Sequence, residues 1–236
     1  MIHLAYSFSL SVKLRLFLLC TSFFLFIPNI TFGSQILQDS IVVRTEYYSN
    51  GRMKHQWQYQ GGKYEGVQRW WYSNGQLKTE THYKEGVMHG TSKAWFLDGT
   101  PRFENIYAKG MYHGPQIWYF ENGKIKSKKH YVEGTEHGVQ ETFYQTGQKN
   151  TLFHYENGQR DGKQFWWYES GILKFEKNYL KGEEHGMQLT YYPGGEVNAI
   201  ENYLHGRKHG VQKWYYENGQ LVRELYYENG LLSSGY

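Results

Sequence analysis

The sequence predicts an all-β protein, an elongated antiparallel β-meander of about eight 24-residue β-hairpin repeats, and three observations carry that expectation. Turn pairs recur at Asn50 and Gly51, Asn74 and Gly75, Asp98 and Gly99, Asn122 and Gly123, Thr146 and Gly147, Ser170 and Gly171, Gly194 and Gly195, and Asn218 and Gly219, each 24 residues after the last. A second register of the same period holds Tyr59, Tyr83, Tyr107, Tyr131, Tyr155, Tyr179, Tyr203 and Tyr227, each with a Gly three residues on. The composition agrees: 19% of residues are aromatic, and 27 Gly stand against 4 Pro, which favours strands and tight turns. A fixed period of this length is the signature of a repeat array.

The elements follow in chain order. Residues 1–33 differ from the rest: Lys13 and Arg15 precede the apolar run from Leu16 to Ile27, Pro28 ends it, and no acidic residue occurs before Asp39. That is the layout of a secretory signal peptide, too short for a stable span of about 20 apolar residues. An uncleaved anchor is the alternative. Leu19 before Cys20 argues against a lipobox, which takes a small residue there. After cleavage the chain would hold no cysteine and hence no disulfide. Residues 34–44 read as a linker and residues 45–236 as the repeat domain.

Within one repeat, Gln68–Tyr72 reads as the strand before a turn and Leu77–Tyr83 as the strand after it. The Asn-Gly pair between them predicts a type I′ turn with positive φ at both central residues. The segment Lys84–Gly90 reads as a return loop, its glycines admitting unusual backbone. The structural turn glycines are therefore Gly51, Gly75, Gly99, Gly123, Gly147, Gly171, Gly195 and Gly219, with Gly90, Gly114, Gly138, Gly186 and Gly210 in the return segments. Two strands per repeat advance about 9.6 Å, so eight repeats would extend about 75 Å. Such a sheet has no deep globular core, and ladders of like residues would hold it together. One ladder is Tyr48, Tyr72, Phe96, Phe120, Tyr144, Tyr168, Tyr192 and Tyr216. Its neighbour begins Tyr47, Trp71 and Trp95.

His89, His113, His137, His185 and His209 each precede a return glycine, with Glu65 and Asp161 at the same place elsewhere. Successive positions about 9.6 Å apart cannot share one ion with ligands at about 2.1 Å. Interchange of His with Glu and Asp instead predicts hydrogen-bond acceptors for the turn backbone. His82, His130 and His154 are expected on a solvated face, and Glu80, Glu104, Glu176 and Glu224 in cross-strand charge pairs. No catalytic residue, cofactor site or metal site is assigned, because nothing near these groups supplies a nucleophile or an oxyanion site. Taking Lys13 and Arg15 from the 26 basic residues leaves 24 against 22 acidic, a net charge of +2 with both signs interspersed. Nucleic-acid binding, which needs a basic face, is not expected.

The aromatic pair, Asn-Gly, Leu-Lys, Tyr-x-x-Gly and His-Gly in the stretch from Trp71 to Gly90 resemble the MORN repeat. The stretch is more similar still to the bacterial variant in YwqK-type proteins, often described as antitoxins. The resemblance runs from Thr45 to Tyr236, and it implies a meander of hairpins with a binding or scaffolding role. The reading that results is a non-enzymatic, exported binding scaffold, periplasmic or secreted, for a protein partner. Its candidate contacts are Trp70, Trp71, Trp95, Trp118, Trp166, Trp167 and Trp214, since exposed aromatics give large contact area at low entropic cost. The alternatives are a peripheral membrane surface, a polysaccharide stacked on the aromatic rows, and a YwqK-type antitoxin for a partner toxin.

Overall fold

The computed structural model describes residues 40–235. The expected signal peptide lies outside the described residues. The strands are β1 (Val42–Tyr47), β2 (Met53–Gln60), β3 (Lys63–Tyr64), β4 (Gly66–Trp71), β5 (Leu77–Lys84), β6 (Val87–Trp95), β7 (Pro101–Ala108), β8 (Met111–Tyr119), β9 (Ile125–Val132), β10 (Thr135–Glu136), β11 (Gly138–Phe143), β12 (Lys149–Glu156), β13 (Gln159–Arg160), β14 (Gly162–Trp167), β15 (Leu173–Leu180), β16 (Glu183–Glu184), β17 (Gly186–Tyr191), β18 (Val197–Leu204), β19 (Arg207–Lys208), β20 (Gly210–Tyr215), β21 (Leu221–Glu228) and β22 (Leu231–Gly235). Each long strand pairs antiparallel with the next, a short return strand such as β3 and the strand after it, β4, both lying against β2, and among the described residues no pairing joins the two ends. The described residues thus form one open all-β sheet of hairpins with no helix. The first strand begins at Val42, inside the segment read as a linker.

The two kinds of turn are the reverse of the expectation. At Asn74 and Gly75 the Gly alone has positive φ (93°), the Gly75 N–H donates to the Tyr72 carbonyl at 2.9 Å, and the Tyr72 N–H donates to the Gln76 carbonyl at 2.8 Å. This is a three-residue loop closed by a left-handed glycine, not a I′ turn. A register shift between Trp70 and Trp71 accompanies it. The positive-φ pair sits at the opposite end of the strands, as at Glu85 (52°) and Gly86 (87°). The same geometry recurs at Lys109, Glu133, Asn157, Lys181, His205 and Asn229, each before a glycine. The predicted return loop Lys84–Gly90 therefore shrinks to two residues, and β6 is already strand from Val87.

Gly90 lies within that strand, at a bulge. β5 and β6 pair as Tyr83 with Met88 and next as Thr81 with Ser92, so His82 of β5 lies opposite His89, Gly90 and Thr91 of β6. The extra residues leave nearby backbone groups without their ladder partners. The sequence solves this with glutamine. Gln164 accepts from the His154 N–H at 3.0 Å and donates through Nε2 to the His154 carbonyl at 3.1 Å. Gln68 does the same for Gln58, Gln140 for His130, Gln188 for Asn178 and Gln212 for Asn202. The side-chain amide takes the place of a peptide group.

These glutamines, with Gln116, are the buried centre of the sheet, and the buried hydrophobic residues are only Ala94 and Ala199 among those described. The expected aromatic ladders are half-buried for most of their length instead. A core of this kind fits a single sheet whose apolar groups are not covered by a second layer.

Candidate interaction surface

Side chains alternate along each strand, so the sheet has two faces. The glutamine face carries Trp70, Trp118, Trp166 and Trp214. There Phe103 packs on Trp118 with ring centroids 4.8 Å apart, and Phe153 on Trp166 at 4.7 Å. Tyr107, Tyr112 and Tyr131 continue as a row with spacings of 4.8 and 5.3 Å. Arg160 lies over Phe153 at 4.6 Å and over Trp166 at 5.7 Å. The other face carries Trp71, Trp95 and Trp167. The seven tryptophans named from sequence therefore divide four to three, all half-buried, and no flat partner touches them together.

The second face is charged. Glu80 pairs with Arg69 at 2.7 Å, Glu104 with Lys93 at 2.5 Å, Glu176 with Lys163 at 2.5 Å and Glu224 with Lys213 at 3.1 Å. These are the four glutamates expected to pair across strands. Hydrogen bonds from the ammonium groups to the carboxylates raise Lys93, Lys163 and Lys213 above the usual lysine range. Along the Asn-Gly edge one cation overlies one ring in several repeats: Lys78 over Tyr72 at 5.4 Å, Arg102 over Phe96 at 5.8 Å, Lys126 over Phe120 at 5.8 Å and Lys174 over Tyr168 at 5.2 Å. Cations so placed are held by the ring quadrupole and remain open to solvent.

The same edge explains the tyrosine ladder. The Tyr48 hydroxyl donates to the Trp71 carbonyl at 2.7 Å, Tyr72 to Trp95 at 3.0 Å, Tyr144 to Trp167 at 2.8 Å, Tyr168 to Tyr191 at 3.0 Å and Tyr192 to Tyr215 at 2.8 Å. Each bond ties a repeat to the next. Phe96 and Phe120 lack the hydroxyl, and a shallow depression opens there, lined by Phe96, Arg102, Trp118, Phe120, Glu121 and Lys126. Asn50, Asn74 and Asn122 add a second tie, Nδ2 to the Ser73, Leu97 and Gln145 carbonyls. Their Oδ1 atoms accept from the backbone two residues on.

Most of the acidic and histidine register also serves backbone, as at His89, His113 and His209, whereas the His185 Nδ1 is buried without a hydrogen-bond partner among the described residues and its ring lies 5.3 Å from that of His205. Nδ1 of His89 accepts from Lys109 N–H at 3.5 Å, and His113 from Glu133 at 3.4 Å. Glu65 and Asp161 accept likewise from Glu85 at 2.8 Å and Lys181 at 3.0 Å. Each acceptor caps the left-handed residue of the following return turn, which is why His, Glu and Asp interchange. His82 and His154 do not stand free on a solvated face, as expected from sequence: their Nδ1 atoms bond the Thr91 and Lys163 carbonyls at 3.0 and 2.8 Å. Among the described residues no group of three or more His, Cys, Asp or Glu is placed to hold a metal ion.

The hairpin geometry coincides with a known repeat family. Five segments match the MORN repeat variant. They are residues 64–85, 112–133, 136–157, 160–181 and 208–229. Each MORN segment starts in a return strand, crosses the Asn-Gly loop or its equivalent, and ends on the positive-φ residue before the next glycine. The sheet runs on through the two longer intervals between them at the same phase. There Ser92 stands where the matched segments carry buried glutamine, and Pro193, Gly194 and Gly195 replace the usual loop. No curated protein shows significant similarity to the chain.

The feature missed in sequence is the glutamine row. Its signal was present: Gln68, Gln116, Gln140, Gln164, Gln188 and Gln212 each stand two residues after a bulge glycine, in phase with the 24-residue period.

Proposed function

We propose that the chain is a non-enzymatic, exported binding scaffold whose charged face and Asn-Gly edge dock a protein partner. MORN repeats typically mediate protein or membrane interactions, and the single observation that selects this surface is the cation–ring column. On the glutamine face the amides of Gln68, Gln140, Gln164, Gln188 and Gln212 are taken up by the backbone of the sheet itself. Along the column, by contrast, Arg102 and Lys126 lie over Phe96 and Phe120 beside an open depression. Aromatic rings with a guanidinium group, as at Phe96 and Arg102, are the composition of interface anchors. Export is proposed from the basic and apolar start of the sequence. It separates this chain from a cytoplasmic YwqK-type antitoxin, whose action would require retention beside its toxin.

The test is affinity capture from source cells with the intact protein and with an Arg102→Ala/Phe120→Ala/Lys126→Ala variant. A partner recovered by the first and lost by the second, with unchanged circular dichroism, is the expected result. Equal recovery by both overturns the assignment of the surface. Binding of both proteins to anionic vesicles at low salt, with no protein partner, points to a membrane instead. N-terminal sequencing of the exported protein should begin near residue 34, and an intact Met1 in the cytoplasm overturns the export reading.

A further inference from the structure

The cations of the charged face are of two kinds. Arg69, Lys93, Lys163 and Lys213 are each held by a glutamate on the neighbouring strand. Lys78, Arg102 and Lys126 are exposed and join no ion pair among the described residues. They occupy one position in three consecutive repeats, 24 residues apart. In the repeats on either side that position holds Lys54, which is bonded to Glu46 at 3.0 Å, and Asn150. The unpaired cations therefore form a row of three, about 9.6 Å from one to the next.

Two depressions lie between the rings under this row. One is lined by Tyr72, Phe96, Leu97, Asp98 and Glu121, the other by Phe96, Phe120 and the cations Arg102 and Lys126. Leu97, at the rim of the first, is 58% exposed. Cation and apolar hollow thus alternate once per repeat along the Asn-Gly edge.

Given the docking edge of the proposed function, on which this rests, we propose that the row binds an acidic segment of the partner in the polyproline II conformation, with a carboxylate at every third residue. Spacing selects the conformation. Polyproline II has three residues per turn and rises 3.1 Å per residue, so every third side chain returns to the same side about 9.3 Å further on. A β-strand returns a side chain to one side after two residues, about 6.6 Å, or four, about 13 Å, and neither matches the row. An α-helix matches after seven residues, at about 10.5 Å, but its width of about 10–12 Å would also cover the Glu80–Arg69 and Glu104–Lys93 pairs. The edge offers no strand to extend, because the Tyr72 and Gly75 N–H groups are bonded within the loop at 2.8 and 2.9 Å. Polyproline II keeps its backbone solvated and docks in aromatic-lined grooves, so it needs no such partner.

The row also sets the residues between the carboxylates. They lie over the hollows, where proline or another apolar residue fits. Glu121 lines both hollows, and its charge repels an unbroken acidic run. A sugar chain fits less well, because it would stack on ring faces that Lys78, Arg102 and Lys126 already cover at 5.4, 5.8 and 5.8 Å.

Fluorescence anisotropy on the full chain tests this with labelled synthetic peptides. The probe is a run of Glu-Pro-Pro triplets closed by Glu. The controls carry the same number of glutamates, alternating with proline in one and at every seventh position of a helical peptide in the other. The triplet peptide should bind, more weakly as salt rises, and the alternating control should bind about threefold or more less tightly. Lys78→Ala/Arg102→Ala/Lys126→Ala should weaken the triplet peptide about tenfold or more, with unchanged circular dichroism. Lys78→Glu/Arg102→Glu/Lys126→Glu should lose it and gain the matching Lys-Pro-Pro peptide. Equal binding of triplet and alternating peptides, tighter binding of the helical one, or a triplet affinity unmoved by the alanine variant overturns the proposal. So does binding of polygalacturonate without the triplet peptide. A protein partner captured through Arg102, Phe120 and Lys126, with no binding of the triplet peptide, overturns this inference and leaves the docking edge standing, whereas equal capture by the edge variant overturns both.

Discussion

Replacing Gln164 by Ala should destabilise the protein more than any change of a surface polar residue. The amide oxygen accepts from the His154 N–H at 3.0 Å. The amide nitrogen donates to the carbonyls of His154 at 3.1 Å and of Asp161 and Gly162 at 3.2 Å. The alanine leaves a buried N–H without an acceptor, at about 1–3 kcal/mol, and removes the donor shared by three carbonyls. Loss of two buried methylene-sized groups adds about 1–1.5 kcal/mol, and regained side-chain freedom returns a similar amount. The expected net loss is about 2–4 kcal/mol. Gln116 supplies an internal comparison. It donates to the Ile106 and Gly114 carbonyls, but its amide oxygen has no partner. Gln116→Ala should therefore cost about 1–2 kcal/mol less than Gln164→Ala. Urea denaturation followed by tryptophan fluorescence and far-ultraviolet circular dichroism gives both values. A loss below about 0.5 kcal/mol for Gln164→Ala, or the reverse order of the two, would refute the view that the amides stand in for peptide groups.

The ties, turns and buried tyrosines each set a further expected outcome. Tyr168→Phe removes the hydroxyl bond to Tyr191 and should cost about 0.5–1.5 kcal/mol by the same denaturation assay, whereas Tyr216→Phe, which ends no such bond, should be neutral. Gly182→Val places a β-branched residue at φ 87° and should cost about 1–3 kcal/mol, with a new proteolytic site near Lys181 and the distant repeats still folded. Burial raises Tyr203 to about 12 and also raises Tyr83, Tyr107 and Tyr131. The folded chain keeps these protons while the unfolded chain loses them near the ordinary value of about 10, so stability should fall as pH rises from about 10 to 12. Ultraviolet absorbance titration should show that group ionising after the exposed tyrosines, together with loss of the strand signal.

The strand order, the open antiparallel sheet and the pairing of Glu80, Glu104, Glu176 and Glu224 were legible because each follows from alternation and period. The acceptor role of His89, Glu65 and Asp161 was legible from their interchange. The turn types were not. Asn-Gly fits a I′ turn, but it fits equally a loop that needs one left-handed glycine and an Asn Oδ1 acceptor, and here Asn74 also reaches Leu97 in the next repeat. The positive-φ position at Glu85, Lys109 and Lys181 carries no local preference for that backbone. It is held by side-chain acceptors one repeat earlier, a long-range cause. The glutamine row was hidden by polarity, because glutamine is a residue type that mostly faces solvent. Its burial depends on a bulge that pairing, not composition, creates.

If contacts between adjacent repeats alone hold this one-layer array together, a whole period can be excised without unfolding it. Removing residues 137–160 takes out 24 residues and joins Glu136 to Asp161, which keeps every glutamine, tyrosine and bulge glycine in phase. The shortened chain should fold with the same circular dichroism per residue and a cooperative melt. A 23-residue excision from the same site should not, because every side chain beyond the junction would change face. If both excisions unfold the chain alike, the sheet depends on contacts between distant repeats, and it is not a one-layer array of nearest neighbours.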